Sequence, residues 1–121
     1  MANEITVTQS LAVENGNHSH SDPPIAKQYD QTTASGTWIG AKSIGTGETT
    51  VSLSDLTTPG WCKMTNLDAT NYVQWGFSTG VYGGRLEAGE SALFRLDPGL
   101  ASIFCLANTA ACDVEFEVME D

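Results

Sequence analysis

Residues 112–118, Cys112-Asp113-Val114-Glu115-Phe116-Glu117-Val118, alternate apolar and acidic side chains without a break. Successive side chains of a β-strand point to opposite faces. This parity therefore puts Cys112, Val114, Phe116 and Val118 on a core and the three carboxylates in water, as on a strand of an antiparallel sheet wet on one side. Strand signals recur backward along the chain at 101–107, 91–96, 72–77, 61–65 and 49–53. The separators, among them Asp97-Pro98-Gly99, Ala88-Gly89-Glu90, 80–84, 66–71 and Thr57-Thr58-Pro59-Gly60, carry the Gly, Pro, Asn and Asp that turns need. No window shows a helical period with caps. The pattern predicts an all-β fold, a single antiparallel β-sandwich of jelly-roll type with about seven to nine short strands, covering residues 1–121 as one domain.

The N-terminal part is less regular. Ile5, Val7, Leu11 and Val13 share one parity and Thr6, Thr8 and Glu14 the other, which predicts a long, half-buried first strand. Residues 15–24, Asn-Gly-Asn-His-Ser-His-Ser-Asp-Pro-Pro, contain no large apolar side chain and end in two prolines, so an exposed polar loop is expected. The pattern weakens over 25–33, and 36–47 reads as short strand pieces among turns.

Composition bounds the function. A chain of 121 residues has enough material for one core. A formal charge of −10 disfavours phosphate backbones and anionic lipid, where affinity comes from Lys and Arg, so neither nucleic acid nor membrane is an expected partner. No stretch approaches the ~20 apolar residues of a membrane span, and Met1-Ala2-Asn3-Glu4 does not resemble a secretion signal, so synthesis in the cytoplasm is expected. Cys62, Cys105 and Cys112 form an odd set without a CxxC, which argues against a disulfide framework and a structural zinc site and for buried thiols. If 108–111 joined two paired strands, Cys105 and Cys112 would be diagonal neighbours on one face.

Catalytic constellations are not supported, and no catalytic or cofactor-binding residue is assigned. The two histidines stand two apart in the polar loop, Gly45-Thr46-Gly47 lacks the strand, helix and Lys-Ser/Thr pair of a phosphate-binding loop, and nothing selects a pair among the fifteen carboxylates. The expectation is no enzyme and no cofactor. No metal site is assigned either; His18, His20 and Asp22 come nearest to one, from a single loop or from symmetry-related loops near an axis.

The stretch Ala101-Ser102-Ile103-Phe104-Cys105-Leu106-Ala107 differs from 112–118 in being apolar on both parities. Either the domain covers both faces itself, or one face meets another chain, and the second reading is preferred for so small a domain. Interface candidates are Ile103, Phe104 and Leu106, together with Trp38, Trp61 and Trp75. Those tryptophans could also form a stacking platform for sugar rings, although aromatics in a small β domain are more often core or interface anchors.

Three stretches also carry a resemblance: Asn66-Leu67-Asp68 through Tyr72-Val73-Gln74-Trp75-Gly76, Leu86-Glu87-Ala88-Gly89-Glu90, and Ala107-Asn108 followed by Val114-Glu115-Phe116-Glu117-Val118. Over about residues 61–119 the chain resembles small β-sandwich virion proteins of tailed bacteriophages, in which such a strand, turn and closing hairpin recur. The resemblance implies a capsid decoration (cement) protein on the outer capsid surface of the virion. That protein would bind the major capsid protein, stabilise the expanded head and form a homo-oligomer, a trimer before a dimer. Alternatives are a head–tail or tail accessory component, or a carbohydrate-binding module.

Overall fold

The computed structural model describes residues 3–32 and 36–121; Met1, Ala2 and Thr33, named above, lie outside them. The described residues form twelve strands and no helix. The chain divides into two compact units, 1–32 and 33–121.

The second unit is the sandwich. Its strands are β5 (Thr37–Ile44), β6 (Thr49–Ser52), β7 (Pro59–Asn66), β8 (Val73–Gly76), β9 (Gly84–Leu86), β10 (Ser91–Arg95), β11 (Ser102–Ala107) and β12 (Cys112–Glu120). They form two four-stranded antiparallel sheets, ordered β10-β7-β12-β5 and β6-β11-β8-β9. Counted from β5 as first, the orders are sixth-third-eighth-first and second-seventh-fourth-fifth. That alternation between layers is the jelly-roll arrangement of two Greek keys. Between the sheets lie Ile44, Cys62, Met64, Cys112, Val114, Phe116 and Val118 from one side and Val51, Val73, Leu86, Ile103, Cys105 and Ala107 from the other. The parity read from 112–118 holds: the four apolar residues are buried, while Asp113 is exposed and Glu115 and Glu117 half-buried on the opposite face.

The first unit contains β1 (Ile5–Gln9), β2 (Ala12–Asn15), β3 (His18–Ser21) and β4 (Ile25–Tyr29). Strand β1 pairs with β4 and β2 with β3, both antiparallel, so the unit is a two-stranded ribbon along its length. These strands raise the total above the expected count; the sandwich itself has eight.

Four expectations need correction. Residues 15–24 are exposed but are not a loop: β2 and β3 meet in a two-residue turn at Gly16-Asn17, with Gly16 at φ +58°, the left-handed conformation that hairpin turns ask of glycine. The predicted first strand is broken at Ser10-Leu11, and Leu11 and Val13 are 73% and 44% exposed rather than core-facing. Residues 37–44 are one strand, held along its length by β12 despite Gly40. Finally, β11 and β12 form no hairpin. Residues 108–111 cross from one sheet to the other, so Cys105 lies opposite Trp75 and Cys112 opposite Ile44, on different layers. All three cysteines are buried free thiols. Burial pushes Cys62 and Cys105 up to about 12 and also raises Cys112.

Candidate interaction site

The doubly apolar strand β11 is central in its sheet, between β6 and β8. Its inward residues Ile103, Cys105 and Ala107 are buried in the core, so Ile103 is removed from the interface candidates. Phe104 and Leu106 point to the outer face and are half-buried. Much of the cover there is the chain's own. Gly76 lies opposite Phe104, and a Cβ on Gly76 would meet the Val81 carbonyl oxygen at 2.1 Å, so the segment 77–83 lies against this part of the sheet. Ser78 and Val81 close it through the Val81 N–H to Ser78 carbonyl bond (3.1 Å), with Gly80 at φ +72° as the third residue of the turn.

Glu48, just before β6, ties that turn down. Its carboxylate accepts from Thr79 Oγ1 at 2.5 Å, from the Gly80 N–H at 2.7 Å and from the Tyr82 hydroxyl at 2.5 Å. Those donors hold the Glu48 carboxyl below its ordinary range, the Thr79 bond contributing most, and the same carboxylate raises the Tyr82 phenol. The internal-lid reading of 101–107 thus accounts for part of its second apolar face.

Two of the three tryptophans are stacked within the domain. Trp38 stacks on Phe116 (centroids 5.6 Å apart), with Lys42 Nζ 5.9 Å from its ring. Trp75 stacks on Phe94 at 4.9 Å, and a Cβ on Gly84 would fall 2.2 Å from its Cε2. Trp61 is half-buried on the outer face of the first sheet with the Arg95 guanidinium 5.9 Å from its ring. Trp38 and Trp75 share the inward side with Val118 and Cys105 whereas Trp61 faces outward, so the three make no continuous platform. An apolar cleft of about 370 Å³ beside Trp75, lined also by Phe77, Ser78, Val81, Gly83 and Gly84, lies next to the lid.

The motifs behind the phage resemblance serve the fold. Asn66 is fully buried, and its Nδ2 donates to the carbonyls of Asn71 (2.9 Å), Leu86 (3.2 Å) and Glu87 (3.3 Å), while its Oδ1 accepts from the Asp68 N–H (3.0 Å). Asp68 Oδ2 accepts from the N–H groups of Thr70 and Asn71, which hold its carboxyl low. Glu90 closes the Leu-Glu-Ala-Gly-Glu turn by accepting from the Glu87 N–H at 2.7 Å around Gly89, at φ +78°.

Exposed large apolar side chains occur on the sandwich, at Ile39, Leu67, Phe77 and Val81, and on the ribbon. On the ribbon, Leu11 (73%) and Ile25 (68%) are the most exposed of these, and Val13 (44%) is also exposed. Gln9, Ser10, Leu11, Asp22, Pro23 and Ile25 line a shallow cleft of about 360 Å³ where β1 gives way to β2. A two-stranded ribbon has no second layer of its own, and such hairpins are marginally stable alone. No signal in the alternating pattern distinguished this from a core-facing strand. The exposed hairpin also carries His18 and His20, and His20 Nε2 lies 3.1 Å from Oδ1 of Asp22 at the cleft. Comparison with protein-family models, with curated proteins and with solved structures finds no match to this chain.

Proposed function

We propose that this is a structural, non-enzymatic protein whose ribbon docks on protein surfaces, as a decoration protein on the outer surface of a tailed-phage head. The observation that carries this reading is the ribbon of residues 3–32 with Leu11, Val13 and Ile25 in the open. Contiguous exposed apolar surface with a polar rim marks contact sites, and Leu11 and Ile25 share one cleft with Gln9, Ser10 and Asp22. A shell-binding protein works through many small repeated contacts between copies and the lattice, and an arm supplies such contacts. The partners are then the major capsid protein and further copies of this chain, a trimer before a dimer. Binding only the expanded lattice stabilises it by mass action. The net charge of −10 suits a position outside the shell, away from packaged DNA.

The carbohydrate reading draws little support, since the rings of Trp38 and Trp75 are stacked on Phe116 and Phe94. The test is co-sedimentation of the full chain with expanded empty heads of the phage that encodes it, followed by imaging. The expected result is many copies at symmetry axes. A low copy number at one vertex or on the tail would transfer the protein to the head–tail alternative, and no binding to any head state would refute both. Burying the three exposed residues is worth on the order of 3 kcal/mol net. Replacing Leu11, Val13 and Ile25 together with Ser should therefore weaken binding roughly a hundredfold.

A further inference from the structure

Strand β3 places His18 and His20 on one face, because residues two apart on a strand share a side. Their partners across the ribbon are Asn15 and Val13, and this register puts Glu14 and Ser19 on the opposite face. Two histidines so spaced have Cα atoms about 7 Å apart. Imidazoles over that span can converge on one ion at ~2 Å metal–nitrogen distances. The third residue sharpens the arrangement. Asp22 Oδ1 lies 3.1 Å from His20 Nε2, and in the neutral tautomer that donates from Nε2 to this carboxylate the lone pair of Nδ1 is left for a metal. A carboxylate behind a histidine is the usual support of a metal-bound imidazole. The tip is exposed on both strands, so other copies can reach it.

One copy does not complete a site: among the described residues no group of three or more His, Cys, Asp or Glu is placed to hold an ion. We propose that each ribbon tip is a fraction of a transition-metal site, contributing His18 and His20, and that other copies of this chain complete it. This rests on the homo-oligomer reading above. Two copies supply the four nitrogens of a tetrahedral Zn²⁺ site, and three supply six for an octahedral ion. Nitrogen donors without thiolate suit Zn²⁺ or Ni²⁺ rather than Ca²⁺ or Mg²⁺.

The test uses the full chain stripped with EDTA and titrated with Zn²⁺. Bound metal is counted by elemental analysis and mass followed by sedimentation. The expected result is one ion per two or three chains, abolished in His18→Ala and in His20→Ala, with at least a tenfold loss of affinity in Asp22→Asn. Both alanine substitutions lie on an exposed strand, and unchanged far-UV circular dichroism would show that the fold persists. Binding of one ion per chain, no binding, or full binding in the alanine variants would overturn the site. An oligomer that takes up no zinc would overturn the metal site alone, whereas a chain that stays monomeric with and without zinc would overturn the oligomer reading as well.

Discussion

Replacing Asn66 with Ala should cost this small protein a large share of its stability. The side chain forms four hydrogen bonds that join the loop after β7 to the turn after β9. Alanine removes all four and offers nothing in return. The bond to the Leu86 carbonyl is in a buried contact that water does not replace, and its loss costs about 1–3 kcal/mol. The other three groups are only partly buried, and water entering the vacated space can recover some of their bonding, so each costs about 0.5–1 kcal/mol. The sum, about 2.5–6 kcal/mol, compares with a total of roughly 5–15 kcal/mol for a domain of this kind. Urea unfolding followed by tryptophan fluorescence should show the midpoint falling with an unchanged slope, and thermal scans a drop of about 10–25 °C. Asn66→Asp should fare no better at neutral pH, since it keeps the acceptor for Asp68 but turns a carboxylate toward three carbonyl oxygens. A loss below about 1 kcal/mol for Asn66→Ala, with the slope unchanged, would refute the assignment of this residue as the hub of the two turns.

Other expectations concern the lid and the thiols. Because the folded Glu48 carboxyl lies below its unfolded value, its hold on 77–83 is complete above about 4.5 and is lost as pH falls through the lower folded value. Hydrogen exchange at the Gly80 amide should accelerate in that acidic range and be fast at all pH in Glu48→Gln. At the other end of the scale, Tyr82 should ionise above 10 in the native protein and return toward 10 in Glu48→Gln, as read by phenolate absorbance; no difference between the two would break the link. Gly76→Ala should displace 77–83, since its Cβ has no room beside the Val81 carbonyl, and should cost about 1–3 kcal/mol while abolishing the Tyr82 shift. With Cys62 and Cys105 at about 12 and all three thiols buried, a disulfide reagent at pH 8 should label none in the native state and all in denaturant. Prompt native labelling would contradict the packing.

The sandwich was legible where one face meets water and the other the core, because alternation then reports the geometry directly, as in β12. It was illegible where a neighbour overrides local preference. Gly84 begins a strand because the Trp75 indole fills the space of a side chain, and 80–84 therefore read only as a turn. Partnering was hidden as well. The segment between Ala107 and Cys112 is short enough for a hairpin, yet it crosses between layers, since Cys112 and Ala107 belong to opposite walls of one core. Hydrophobicity alone does not tell core from contact: Ile103 lies in the core, Trp38 and Trp75 in intramolecular stacks, and Trp61 half-buried beside Arg95. The ribbon failed for the converse reason, since alternation states that a strand has two unlike faces and not that anything covers the apolar one.

The position of β12 between β5 and β7 has a consequence for how the protein is made. Strands that are neighbours in this sheet are far apart in sequence, and residues 112–120 must be synthesised before β5 has any partner and before β7 has its second. The sheet is therefore completed only once residues 112–120 are available, on the millisecond-to-second scale of folds dominated by non-local pairing. Until then Trp38 and Ile44 are exposed on an unpaired strand, and a nascent chain stalled before residue 112 is the species most prone to aggregate.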